Sequence, residues 1–296
     1  MKTLRAWLEL ARISNLPTVW TNVLAGWLLA GGQWEWKPLA WLLAGGSLIY
    51  TSGMMLNDAA DVKYDRTHRP ERPIPSGRAS LMLVWGVSVV MMVSGAAMFV
   101  RGAEACIWLT GALLAAIVAY DFYHKQWSGS VFVMGSCRTL LYLATASAVT
   151  GTLSWNQHHE TIMKAIALGG YIVGLSLVAR HEARAHQVSR GRAQWIQMGV
   201  GCAGLFAPVV IGIWYAGWHR EWIPVVFAAD LCAVILLAIY WMRMNAKWIG
   251  KSVGLLLAFI PLVDALAVAP LRIIVAVIFL MIVPLLMLAQ RKIAAT

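Results

Sequence analysis

Ten long apolar runs follow one another along the chain, separated by short polar connections. Each run is close to the ~20 residues that an α-helix needs to cross a bilayer. The runs cover residues 14–31, 38–57, 80–100, 104–121, 129–150, 161–179, 195–217, 222–241, 252–269 and 272–290. Only a few residues separate the last two runs. Two interpretations are therefore open: both runs cross the membrane, or one of them is a re-entrant segment. The pattern therefore predicts nine or ten transmembrane helices.

The composition indicates a membrane protein rather than a water-soluble one. Hydrophobic residues make up 60% of the chain and charged residues 12%, against roughly 45–50% and ~25% in soluble domains. These values exclude a water-soluble globular enzyme, and so many apolar side chains also exclude a disordered chain. No linker rich in Pro, Gly or Ser divides the sequence. We therefore predict an all-α, polytopic membrane helical bundle that forms a single domain over residues 1–296.

The basic residues predict how the chain is oriented in the membrane. Of the 24 Lys and Arg residues, 18 fall in segments on one predicted side and five on the other. Since basic residues accumulate on the cytoplasmic side, we expect a cytoplasmic N-terminus. This topology explains the net charge of +11, so no nucleic-acid partner is expected. We expect the chain to be an integral protein of a bacterial inner membrane.

The polar segment after the second run contains candidate metal ligands. Asn57, Asp61 and Asp65 are spaced four residues apart, so on a helix they form one stripe, with Asp58 beside it. Carboxylates this close repel one another unless a cation or protons compensate. Oxygen ligands on one helical face suit Mg²⁺, which takes part of its coordination from carboxylates and substrate phosphates.

Basic side chains follow the carboxylates in the same loop, among them Arg69 and Arg72. Arginine binds phosphate oxygens in bidentate fashion, so this pattern is what a diphosphate bound through a metal requires. Arg138 lies within a predicted span and is a further candidate for binding phosphate. Two alternatives stay open: Asp and Arg pairing in a solvated loop, and an Arg138 side chain that extends to the membrane interface.

The stretch N57-D-x-x-D-x-x-x-D65, followed by R72-P-I-P-S-G77, resembles the first signature of the UbiA superfamily of intramembrane prenyltransferases. RPERPIPSG and ARHEARA resemble the EboC-like branch most. The resemblance implies a helical bundle around a central cavity, with Mg²⁺ as cofactor. It implies that Asn57, Asp61 and Asp65 bind the metal with Asp58 in support, and that Arg72 and Lys125 hold the diphosphate. Asp61, Asp65 and Lys125 are then the expected catalytic residues.

The second signature departs from the family pattern. Where the family has two or three carboxylates after the sixth span, this chain has one, Glu182. Glu182 is a candidate ligand for a second Mg²⁺, and an ordinary helix end with Arg184 is the alternative.

Two functions follow from these expectations. The first is Mg²⁺-dependent transfer of a prenyl group from a polyprenyl diphosphate to an aromatic or other lipophilic acceptor. The second is a non-catalytic relative that binds or transports an isoprenoid or another amphipathic metabolite. The reduced second signature motivates the second hypothesis.

Overall fold

The computed structural model describes residues 2–125, 127–184, 192–244 and 248–292, without the side chains of 2–3, 181–184, 192–198 and 292. All regular elements in these residues are helical, so the all-α prediction is confirmed. The helices are α1 (Lys2–Leu10), α2 (Leu16–Leu29), α3 (Trp36–Ala60), α4 (Val62–His68), α5 (Leu81–Ala97), α6 (Ile107–Tyr123), α7 (Ser130–Thr150), α8 (Trp155–Arg184), α9 (Arg192–His219), α10 (Ile223–Met244), α11 (Ile249–Ala258), α12 (Ile260–Val268) and α13 (Ile273–Lys292). A 3₁₀ turn (Ile13–Asn15) precedes α2, and a π-helical turn (Met98–Gly102) extends α5.

Eight helical segments of the described chain are long and apolar enough to cross a membrane. They are Trp36–Ala60, Leu81–Gly102, Ser130–Thr150, Trp155–Arg180, Gly199–His219, Ile223–Met244, Ile249–Val268 and Ile273–Arg291. Large apolar side chains on them, such as Val93 and Met281, are well exposed, as expected of a surface that faces lipid. The protein is an integral membrane protein. Helix α2 has 14 residues and α6 has 17, so both are shorter than the ~20 residues of a typical membrane span. The expected total of nine or ten spans therefore stays a prediction.

The helices approach one another closely through glycines. A Cβ atom on Gly95 of α5 would lie 2.7 Å from the carbonyl oxygen of Gly45 on α3. One on Gly204 of α9 would lie 2.5 Å from the carbonyl oxygen of Gly170 on α8. Because small residues let membrane helices pack backbone to backbone, these contacts hold α3 and α8 firmly in the bundle.

The polar end of the bundle is formed by the last turn of α3, by α4, by residues 69–79 and by the connection between α6 and α7. The backbone runs from α3 into α4 with a break at Asp61. The Asp61 N–H donates to the Asn57 carbonyl, and the Asp65 N–H donates to the Asp61 carbonyl, each at 2.9 Å. The predicted helical spacing of the carboxylates is therefore largely retained.

Residues 69–79 form a turn that returns the chain to the bundle. The Ser76 hydroxyl donates to the Arg72 carbonyl at 2.7 Å, and the Ala79 N–H donates to the Pro73 carbonyl at 3.0 Å. Gly77 has a φ of +73°, which L side chains adopt only at a cost. Arg78 stabilises the turn through an ion pair with Glu9 of α1, with Nη1 and Oε2 2.7 Å apart. The turn thereby directs the Arg72 side chain back toward α3.

Candidate active site at the polar end of the bundle

Two carboxylates of the first signature lie in a buried ion network. Arg72 Nη1 is 2.8 Å from Asp65 Oδ2 and 3.1 Å from Asp58 Oδ1. Arg12, just before α2, also reaches Asp58 Oδ1 at 3.3 Å. Asp58 and Asp65 are 6% and 2% exposed. Buried charges require partners, and the two arginines supply such partners to both side chains.

Asp61 pairs with the connection between α6 and α7 instead. Its Oδ1 lies 2.7 Å from Lys125 Nζ, and its Oδ2 lies 3.3 Å from His124 Nε2. Burial alone would raise the pKa of Asp61, but the hydrogen bonds from His124 and Lys125 outweigh it and lower that pKa. Asp61 is therefore an anion at neutral pH. Lys125 also lies 3.8 Å from the ring centroid of Tyr64, which confines its side chain.

Asn57 faces α6. Its Nδ2 donates to Asp121 Oδ1 at 3.2 Å. Asp121 is 4% exposed, and its other oxygen, Oδ2, is buried without a hydrogen-bond partner. Asn57 thus links α3 to the Asp121 carboxylate of α6, which is not part of the first signature.

A cavity of about 180 Å³ lies between α3, α4 and the end of α6. The residues lining it are Ala60, Asp61, Lys63, Tyr64, Asp121, Phe122, His124 and Lys125. Asp61 and Asp121 provide its acidic groups, and Lys63 and Lys125 provide its lysines. This arrangement suits a bound ligand that combines a cation with an anion. The central cavity expected from the resemblance stays a prediction.

The structure does not bring all predicted site residues together. Arg69 is exposed at the C-terminal end of α4. Glu182 lies on α8, but its side chain is outside the described part of the structure. Their predicted roles in binding diphosphate and metal stay predictions.

Arg138 lies in a separate buried network, formed with α2 and α12. Its guanidinium donates to Asn22 Oδ1 at 2.5 Å and to Thr18 Oγ1 at 3.1 Å. Asn22 in turn donates to Asp264 at 2.7 Å, and Tyr142 donates to the same carboxylate at 3.1 Å. Arg138 is thus held by side chains of α2, and its role in binding diphosphate stays a prediction.

Three residues at the site were not among the predicted ones: Arg12, His124 and Asp121. Arg12 has a φ of +43°, and a non-glycine residue in this region indicates a backbone held in place by its surroundings. The sequence contains one signal for Asp121: it precedes Lys125 by four residues, a spacing that would place both on one face of a continuous helix. Nothing in the local sequence distinguishes Arg12 from the other basic residues near the N-terminus.

The donor atoms fit Mg²⁺ in their chemistry. Asp61 and Asp121 place two carboxylate side chains at one cavity, and the Asn57 amide contacts Asp121. One oxygen of Asp121 has no partner. Mg²⁺ prefers oxygen ligands and retains several waters, so it does not require a closed protein cage. Within the described residues, no three Asp, Glu, His or Cys side chains already converge as a metal site.

The family model described as the UbiA prenyltransferase family matches residues 18–262. The match includes the first signature, Lys125 and Glu182. The chain belongs to the UbiA prenyltransferase family. The closer likeness to the EboC-like branch stays a prediction.

Curated UbiA relatives match parts of the chain. The digeranylgeranylglyceryl phosphate synthase of Sulfolobus acidocaldarius is 34% identical over 94 residues, which cover 31% of this chain and 34% of that protein. The 4-hydroxybenzoate octaprenyltransferase of Paracidovorax citrulli is 31% identical over 165 residues, or 51% and 55% of the two chains. The matched regions thus span from a third to about half of these relatives.

Solved structures of UbiA homologues share the fold over nearly their whole length. The apo homologue from Aeropyrum pernix has a TM-score of 0.69 at 17% identity, covering 88% of this chain and 98% of that one. A homologue from Archaeoglobus fulgidus, bound to DMAPP and Mg²⁺, has a TM-score of 0.53 at 13% identity, with coverages of 88% and 99%. These likenesses establish a UbiA-like helical bundle.

Proposed function

We propose that this protein is a Mg²⁺-dependent prenyltransferase that moves a prenyl group from a polyprenyl diphosphate to an aromatic or other lipophilic acceptor. The observation that carries the proposal is the pair of Asp61 and Lys125 beside a polar cavity, at one end of an apolar helical bundle. A substrate with a charged head and a long apolar tail requires both environments. Membership of the UbiA family and the names of the relatives support this reaction class.

The metal and diphosphate ligands follow from the site. Asn57, Asp61 and Asp65 would hold Mg²⁺, with Asp58 in support and Glu182 as candidate ligand of a second ion. A metal held by these residues would supply positive charge to compensate the negative charge that develops on the leaving diphosphate. Lys125 and Arg72 would bind diphosphate oxygens, with Arg69 and Arg138 as further candidates. Asp61, Asp65 and Lys125 remain the proposed catalytic residues.

The apolar bundle explains why this reaction belongs in a membrane. Departure of an allylic diphosphate leaves a carbocation, which water destroys unless it is excluded. The prenyl tail is expected to extend among the spans while the diphosphate stays at the polar end. We further propose that the polar end and the N-terminus are cytoplasmic, in a bacterial inner membrane, as the distribution of basic residues predicts.

The test is a transfer assay on the full-length protein in detergent. Labelled farnesyl and geranylgeranyl diphosphates are each supplied with Mg²⁺ and a panel of lipophilic acceptors, and both product and released diphosphate are measured. Wild type is expected to turn over repeatedly, and Asp61→Ala to lose at least 100-fold, the scale of one electrostatic catalytic group. Asp230→Asn, on an exposed face of α10, is the control and should match wild type.

Equal turnover by wild type and Asp61→Ala would overturn the assignment of the site. Binding of the diphosphate without its release, across the acceptor panel, would favour the second hypothesis, a non-catalytic isoprenoid-binding protein.

A further inference from the structure

We infer that Asp121 supplies a second carboxylate ligand, besides Asp61, to the divalent cation. The inference rests on the proposed function and adds to it a residue from outside both signatures. Four observations carry it: the contact with Asn57, the unpartnered oxygen, the size of the cavity and the local balance of charge.

The packing of α6 on α3 fixes the position of Asp121. One turn before it, Ile117 Cγ2 would lie 3.0 Å from a Cβ atom on Gly53, so Gly53 permits a close approach of the two helices. One turn after Gly53, the Asn57 side chain donates to Asp121 Oδ1. Asp121 thus lies directly beside one end of the proposed metal-binding stripe.

The second oxygen of Asp121 has no partner. Buried carboxylate oxygens in folded proteins are nearly always hydrogen-bonded, because desolvation without compensation is costly. Asp121 is 4% exposed, yet only Oδ1 receives a hydrogen bond, and it forms no ion pair with the described basic side chains. A bound cation would satisfy Oδ2 and leave the bond from Asn57 intact.

The cavity has room for a hydrated cation. Its volume of about 180 Å³ is well above the ~15 Å³ that one water requires. Asp61 and Asp121 both line it, so a cation bound in this space would lie beside both residues. Lys125 and His124 contact Asp61 from one side, whereas a cation bound in the cavity would compensate the charges of Asp61 and Asp121 together.

The experiment measures binding of Mn²⁺, a paramagnetic substitute for Mg²⁺, by electron paramagnetic resonance. Full-length protein in detergent is titrated with Mn²⁺ alone and with Mn²⁺ plus inorganic diphosphate. Wild type is expected to bind, Asp121→Asn to bind at least 10-fold more weakly, and Asp121→Glu to recover part of the loss. Asp61→Asn should also weaken binding, and Asp230→Asn should bind as wild type does.

Each outcome has a distinct meaning. If Asp61→Asn weakens binding while Asp121→Asn matches wild type, Asp121 is not a ligand and the proposed function stands. An Asp121→Glu variant no better than Asp121→Asn also overturns the ligand role. If wild type binds no Mn²⁺ even with diphosphate, the proposed function itself fails.

A second measurement covers the case in which Asp121→Asn is destabilised. The melting temperature of each variant is measured with and without about 10 mM Mg²⁺, a large excess over the protein. Each variant is thereby its own reference. A Mg²⁺-induced rise in wild type that is reduced in Asp121→Asn supports the inference. An equal rise in both overturns it.

Discussion

Lys125 Nζ lies 2.7 Å from Asp61 Oδ1, and this pair connects residues 64 positions apart in sequence. The lysine comes from the connection after α6, and the aspartate from the break between α3 and α4. The Lys125 ammonium group, which is proposed to bind diphosphate, therefore already lies beside the Asp61 carboxylate, which is proposed to bind the metal. A Mg²⁺-diphosphate complex would meet both groups together.

Replacing Lys125 tests its role toward diphosphate. Lys125→Ala removes a charged hydrogen bond of about 1.5–3 kcal/mol, which corresponds to roughly 10–100-fold. We expect KM for the prenyl diphosphate to rise by this factor and KM for the acceptor to stay unchanged. Lys125→Arg keeps the charge and should retain most of the affinity. An unchanged KM for the diphosphate in Lys125→Ala would contradict the role.

The lowered pKa of Asp61 predicts a pH dependence of stability. Asp61 has its usual pKa of 3.8 in the unfolded chain and a lower one when folded. Its ionisation therefore stabilises the fold above pH 3.8, and this contribution is lost as the pH falls through the lowered pKa. The difference in unfolding free energy between wild type and Asp61→Asn should be constant above about pH 5 and should narrow as the pH falls below 3.8 through the lowered pKa. Chemical unfolding followed by Trp fluorescence measures it, and a difference that stays constant below pH 3.8 would contradict the prediction.

Arg72 is expected to contribute strongly to stability. Its side chain pairs with the buried Asp58 and Asp65, so Arg72→Ala leaves a buried carboxylate without its partner, at a cost of about 3–5 kcal/mol. Adding Asp65→Asn to Arg72→Ala should recover part of the loss. Arg66→Ala, at an exposed position of α4, is the matched control. Equal melting temperatures for Arg72→Ala and Arg66→Ala would contradict this account.

Gly77, in the turn after Arg72, is expected to be sensitive to substitution by alanine, and Gly86 in α5 serves as its control position. A Cβ atom would meet nothing within 4 Å at either position, but Gly77 has a φ of +73°, whereas Gly86 is inside α5. Gly77→Ala should therefore destabilise the fold by about 1 kcal/mol through backbone strain, and Gly86→Ala should be neutral or stabilising. Thermal unfolding of both variants checks the difference, and a Gly77→Ala variant as stable as wild type would show that the turn tolerates an L residue.

Much of the fold follows from local pattern. Most of the apolar runs became helices at the predicted places, because a backbone in lipid must satisfy its hydrogen bonds within the segment. The break between α11 and α12 at Phe259 was not predicted, although Pro261 at the start of α12 is a recognisable signal for it.

The partners within the site depend on contacts between distant segments. The spacing of Asn57, Asp61 and Asp65 indicated a shared face, but not that Arg72 would bind Asp65 while Lys125 binds Asp61. The bond between Asn57 and Asp121 depends on how closely α6 packs on α3 at Gly53. Such distances between helices are set by tertiary packing, which single-sequence periodicity does not contain.

The ion pairs of the N-terminal residues have a practical consequence for handling this protein. Glu9 pairs with Arg78, and Arg12 pairs with Asp58, although Glu9 and Arg12 both precede α2. A chain trimmed to start at Leu16 would keep α2 to α13 yet lose the ion pairs that hold Asp58 and Arg78. Shortening this leading stretch during purification would therefore loosen the turn of residues 69–79 and the carboxylate network around Arg72.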